Sequence, residues 1–179
     1  ELDIIQDVQE IITTMRSTDA IIMSINPTGK VPALITKKQQ LITESYAICN
    51  YMEQFANTNI NSEDNYDNWT FNGYETVACQ ILESIVYRSI EKKNKPKEFI
   101  HQKTTDYEKL KTNRALDFLE KKASEYNENI NRIQITLCLA FNTMYKNFPE
   151  ENWKGNRPLL TKLVESFEQR KSFIDTEEK

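Results

Sequence analysis

Histidine is almost absent: among 179 residues only His101 carries an imidazole. A Ser-His-Asp or Cys-His mechanism needs imidazole as its base, and most histidine-rich metal sites need several as ligands, so any chemistry must rest on other groups. Cysteine is scarce too. Cys49, Cys79 and Cys138 are odd in number, far apart and form no CxxC pair, which reads as reduced thiols of a cytoplasmic protein, packed as small buried hydrophobes. No apolar run approaches the roughly 20 residues a membrane helix needs, and the chain does not open with a basic region followed by an apolar stretch. An excess of positive charge is missing as well. Lys and Arg number 23 against 27 Asp and Glu, a net charge of −4 with both signs interleaved, so neither a nucleic-acid face nor a basic membrane-surface helix is expected. The chain also lacks an initiator Met, running from Glu1 straight into Leu2, Ile4 and Ile5, as a fragment beginning inside a fold would.

What is present suits a folded protein, since 39% apolar residues can supply a core for one large or two small domains. Leu2 to Val8 is β-branched and loosely alternating, the pattern of a short strand. Ser17-Thr18-Asp19 offers an N-cap for the apolar stretch Ala20 to Ile25, and Asn26-Pro27-Thr28-Gly29 is a turn. Val31 to Ile35 reads as a buried strand, Lys37 to Gln40 as a hairpin turn and Leu41 to Thr43 as a second strand, paired antiparallel. Ser45 then opens a helix whose Ala47, Ile48, Tyr51, Met52 and Phe55 form one apolar face. The order is β-α-β-β-α, followed by an Asn-, Asp- and Ser-rich linker from Ala56 to Asn68.

Beyond the linker the pattern is helical throughout. Val77, Ala78, Ile81, Leu82, Ile85, Val86 and Ile90 make a stripe of period 3.6, closed by Pro96. A second helix carries Tyr107, Leu110, Ala115, Phe118 and Leu119. A third, from about Arg132 to Asn147, is apolar nearly all round and is expected at the centre of a bundle. Asn131 can cap it while Gln134 reaches back, an Asn-x-x-Gln form of the capping box. Pro158 opens a last helix with Leu159, Leu160, Leu163, Val164 and Phe167.

Pro32 stands out against this pattern, because a proline inside a buried strand removes a ladder donor unless the backbone serves another purpose. Glu44-Ser45 stands out as well: a helix start has unpaired N–H groups and a positive dipole end, which suit a carboxylate. Singly, Ser45 would be an N-cap, Glu44 a solvated first-turn carboxylate, Lys30 a surface charge, and Pro27 and Gly29 parts of a turn. Together, the run Asn26-Pro-Thr-Gly-Lys-Val-Pro-Ala-Leu34, then Leu41-Ile-Thr-Glu-Ser-Tyr-Ala-Ile48 and Tyr51, resembles the central signature of the glutathione transferases. The stretch from Ile135 through Phe148-Pro149-Glu150, Trp153 and Pro158 to Phe173 and Thr176 is similar to the C-terminal part of a bacterial branch of that family. Two departures are structural: Asn131 and Gln134 replace the usual Ser/Thr-x-x-Asp box, and Lys171 replaces the proline after Arg170.

The resemblance implies an α/β plus all-α protein. A thioredoxin-like glutathione-binding domain at 1–56, incomplete at its N-terminus, would be followed by a linker at 57–68 and an all-helical domain at 69–179. It implies glutathione as co-substrate and no metal, with glutathione bound by Lys30, Val31, Pro32, Glu44 and Ser45. Pro32 would follow a cis bond, Val31 would pair its backbone with the cysteinyl part, Ser45 would receive the γ-glutamyl carboxylate and Glu44 would face the ammonium group. The implied activity is transfer of the thiolate to a small electrophile, or thiol-dependent reduction, in a homodimer. The Ser, Tyr or Cys that stabilises the thiolate is expected on a strand-loop-helix unit ahead of Leu2, so no residue of this chain is assigned that role. Cys49 is expected to pack, and Tyr74 and Tyr87 to pack or to face the electrophile. The alternative is a non-catalytic relative acting as a protein-binding module, as the stringent-starvation regulators do; the intact Lys30-Val31-Pro32 and Glu44-Ser45 sets argue against it.

Overall fold

The computed structural model describes residues 1–13, 17–58, 60, 68–126 and 129–176. The chain divides into two compact units, Glu1–Ile60 and Asn61–Lys179. Most of the expected linker lies outside the described residues.

In the first unit the expected strand at Leu2 to Val8 is replaced by a 3₁₀ turn at Ile5–Asp7. Asp3 takes a positive φ of 54°, and Asp7 N–H donates to the Ile4 carbonyl at 2.9 Å, so the backbone curls. β-Branched composition is only a preference for a half-buried pleated surface and forms no strand without a partner. Helix α1 spans Ile21–Ile25 with Ala20 at its N-cap. The Ser17 hydroxyl instead bonds the Asp19 carboxylate, holding that carboxyl below its ordinary value.

Strands β1 (Ala33–Ile35) and β2 (Leu41–Thr43) pair antiparallel, Ala33 opposite Thr43 and Ile35 opposite Leu41. Strand β1 therefore starts after Pro32, and the proline removes no ladder bond. Buried Thr36 sets the hairpin: its N–H donates to the Gln40 carbonyl at 3.0 Å, and its hydroxyl accepts from Gln40 N–H at 3.1 Å. Helix α2 covers Ser45–Phe55. Its expected apolar face is only half-buried at Ala47, Ile48, Tyr51 and Met52, and Phe55 is exposed, with the Lys37 ammonium 5.6 Å from its ring centroid.

The second unit is a bundle of α3 (Asn68–Asn94), α4 (Gln102–Lys122), α5 (Arg132–Asn147), α6 (Pro158–Phe167) and a short α7 (Lys171–Thr176). Helix α5 packs on α3 and α6, with α4 against α3 and α6. It buries Ile133, Leu137, Cys138, Ala140, Phe141 and Met144, but its outer side surfaces at Leu139. The core runs from Phe71 to Phe167, and Phe141 stacks on Trp153 with ring centroids 4.1 Å apart.

Side chains close the helix ends. Asn131 Oδ1 accepts Gln134 N–H at 3.1 Å, as the cap requires. The reciprocal half of the box is not made: Gln134 Nε2 donates to the Tyr126 carbonyl at 3.0 Å, where Asn131 Nδ2 also donates, at 2.6 Å. At α6, Glu120 accepts from Leu159 N–H at 3.0 Å and Leu160 N–H at 2.8 Å, a carboxylate on the positive end of a helix. Arg157, 7% exposed, binds Asp117 through Nε at 2.7 Å and the Trp153 carbonyl at 2.5 Å.

Candidate functional site

Asn26 follows α1, is 1% exposed and organises the loop that carries Lys30 and Val31. Its Oδ1 accepts from Thr28 N–H at 3.1 Å and from the Thr28 hydroxyl at 2.9 Å, while its Nδ2 donates to the Lys30 carbonyl at 2.8 Å. Its backbone ties the loop at both ends: Asn26 N–H donates to the Ile22 carbonyl at 2.8 Å, and Gly29 N–H donates to the Asn26 carbonyl at 2.8 Å. Gly29 lies at φ +65°, where a side chain would be strained, and a Cβ there would meet Met23 Sδ at 2.5 Å. An Asn two residues before a backbone N–H is a familiar Asx-turn signal, which marks Asn26-Pro27-Thr28-Gly29 as a turn but not Asn26 as the hub of the loop.

From the loop the chain passes through Val31, 43% exposed, and a cis Val31–Pro32 peptide into β1. On the neighbouring strand Glu44 follows Thr43. Because Ala33 faces Thr43, Pro32 and Glu44 leave the ladder at the same end. The structure thus places Val31, Pro32, Glu44 and Ser45 together at one edge of the hairpin, with Lys30 one residue back and exposed.

Glu44, not Ser45, occupies the N-cap of α2, and Ser45 is the first helical residue. Glu44 has φ 68° and ψ 132° and forms no side-chain cap. An N-cap normally lies in the β region; a non-glycine residue at positive φ is held by its surroundings at a cost of about 1–3 kcal/mol, and such residues cluster at ligand clamps. The outcome is a helix start whose cap residue leaves its carboxylate exposed beside an exposed serine.

The other candidates fall elsewhere. Cys49 is exposed, contrary to the expectation that it packs; Cys138 is buried, and burial pushes its thiol up to about 12. Tyr74 is buried, donates to Glu125 Oε2 at 2.5 Å and lies edge-on to Phe118. Burial and the Glu125 carboxylate raise its hydroxyl pKa, while hydrogen bonds from Lys122 and Tyr74 hold Glu125 low. Tyr74 thereby belongs to the core of the second unit; Tyr87 is 41% exposed. His101 caps α4, its Nδ1 accepting Thr104 N–H at 3.3 Å. Among the described residues no group of three His, Cys, Asp or Glu side chains could hold a metal ion, and no helix is long and apolar enough to cross a membrane.

A helix-flanked hairpin followed by an all-helical bundle is the architecture of a thioredoxin-like domain joined to a transferase-type helical domain. The chain resembles the glutathione S-transferase family: residues 1–54 match the family model described as the glutathione S-transferase N-terminal domain. It is 27% identical over 165 residues to the uncharacterized GST-like protein YibF of Escherichia coli (strain K12), covering 90% of this chain and 81% of that protein. Among solved structures it is similar to a glutathione transferase family member from Pseudomonas fluorescens Pf-5 with bound glutathione. That pair has a TM-score of 0.80 at 24% identity, over 87% of this chain and 77% of the other. A glutathione S-transferase from Methylobacillus flagellatus KT with glutathione bound superposes at a TM-score of 0.83 and 19% identity, over 95% of this chain and 86% of that one.

Proposed function

We propose that this chain binds glutathione at the loop and helix start formed by Lys30, Val31, Pro32, Glu44 and Ser45, and presents the thiolate to a small electrophile or to a bond that the thiol reduces. The observation that carries the reading is the convergence at one hairpin edge of an exposed backbone segment at Val31 and an exposed carboxylate-serine pair at the start of α2. The relatives with bound glutathione share the fold and add support.

Each part of glutathione has a chemical counterpart. Its γ-glutamyl carboxylate docks at the α2 N-terminus beside the Ser45 hydroxyl, where the helix dipole favours an anion. Its ammonium group faces Glu44. Its cysteinyl backbone extends along Val31 as an added strand would. Lys30 stands nearby as a cation for the anionic ligand. A free cysteine thiol ionises only near about pH 8.5, so holding glutathione in one orientation near a thiolate-stabilising group is the main catalytic task. A homodimer is the assembly we propose for the working protein.

Retention on immobilised glutathione tests the reading. The full-length protein should be retained, and Ser45→Ala and Glu44→Ala should flow through; a full-length protein that is not retained would count against it.

A further inference from the structure

The Lys30–Val31 peptide is trans, since Val31–Pro32 is the cis bond among the described residues. In a planar trans peptide the C=O of one residue and the N–H of the next point in opposite directions. Asn26 Nδ2 takes the Lys30 carbonyl at 2.8 Å from the buried side of the loop. The Val31 N–H must therefore point away from Asn26, and among the described residues it has no hydrogen-bond partner. An exposed, unpartnered donor beside a residue without an N–H, Pro32, is a single fixed donor rather than one of a row.

We infer that Asn26 is a positioning residue: by holding the Lys30 carbonyl, its side-chain amide turns the Val31 N–H outward as a pre-set donor for the cysteinyl backbone of glutathione. This rests on the glutathione reading above. Every polar group of Asn26 is engaged, and its bonds run to both sides of the loop, so the peptide plane is set before ligand arrives and no ordering cost falls on binding. The amide is suited to this role because it accepts from Thr28 and donates to Lys30 at once. An aspartate could only accept, and its charge would face the Lys30 carbonyl.

Residues 1–179 hold five valines, Val8, Val31, Val77, Val86 and Val164, so in the selectively ¹⁵N-valine-labelled protein the Val31 amide, assigned by its loss in Val31→Ile, can be followed singly. In the wild-type protein the Val31 amide should exchange rapidly with solvent and become protected and shifted on adding glutathione. In Asn26→Asp the affinity should fall about ten-fold or more, with the other four valine amides unchanged. Asn26→Asp binding glutathione within about two-fold of wild type would overturn this inference alone, as would a Val31 amide already protected in the ligand-free wild type, a result that needs no variant. No response of any valine amide in wild type at millimolar glutathione would overturn the glutathione reading and this inference with it.

Discussion

Glu44 carries a backbone cost that its side chain does not repay within the fold. Its φ of 68° is outside the regions comfortable for an L side chain, and it forms no cap. Replacing it by glycine removes that strain, worth about 1–3 kcal/mol, against about 0.4–1 kcal/mol of added unfolded-state freedom. Glu44→Gly should be as stable as wild type or more so in urea while losing glutathione retention; a stability loss beyond about 1 kcal/mol would show that the carboxylate supports the fold. At this scale the sequence conveys chemistry better than geometry. Glu44 and Ser45 are legible as a pair because a helix start invites a carboxylate, but nothing in a glutamate announces a positive φ. Asn26 is readable as a turn residue, whereas its grip on Lys30 depends on how the loop folds back over it. Cys49 is misread as packed because the apolar stripe around it reports periodicity, not which side of α2 has a neighbour.

The helices of the second unit are the most readable elements, since a 3.6-residue stripe sustained over several turns has no rival explanation. The start of α5 at Arg132 follows from its cap. What escapes is the far end of Gln134, which closes the loop at Tyr126 instead of completing the box. Asn131→Ala removes the cap and leaves the buried Gln134 N–H without its acceptor, while the Tyr126 carbonyl keeps its bond from Gln134 Nε2; it is expected to cost about 1–2 kcal/mol in urea unfolding. A cost below about 0.5 kcal/mol would mean that the cap is dispensable. Short elements are readable only where a partner is legible beside them. Strand β2 is read at its observed bounds, Leu41–Thr43, because the turn at Lys37 to Gln40 returns it to β1, whereas the β-branched stretch Leu2 to Val8 curls into a 3₁₀ turn. The six-residue α7 carries too few turns to show a period.

Across the molecule, the second unit holds nearly all of the described apolar core, and among the described residues the first contributes only Ala20 and Ile22 to the buried apolar residues. Ion pairs bind the second unit's loops to that core. Arg88 grips the Glu151 carboxylate with both terminal nitrogens and lies 4.1 Å over the Phe148 ring, while Lys109 approaches Glu151 at 3.3 Å. Burial pushes the Glu151 carboxyl up, but the Arg88 hydrogen bonds and the Lys109 charge outweigh it and hold the group below its ordinary value. A carboxyl depressed in the folded state contributes stability above its unfolded value, about 4.3, and loses it as pH falls through the folded value. Wild type should therefore exceed Glu151→Gln in urea stability near pH 7, with the gap shrinking toward about pH 3. A gap independent of pH would remove this pair from the acid response.

The claim on which the account turns is that the edge formed by Val31, Glu44 and Ser45 holds glutathione. Calorimetric titration of glutathione into the full-length protein measures it directly. Saturable binding of one glutathione per chain is expected, weakened about ten-fold or more in Ser45→Ala and Glu44→Ala with unfolding unchanged. Absence of saturable binding at millimolar glutathione, or binding unaltered in both variants, would contradict it.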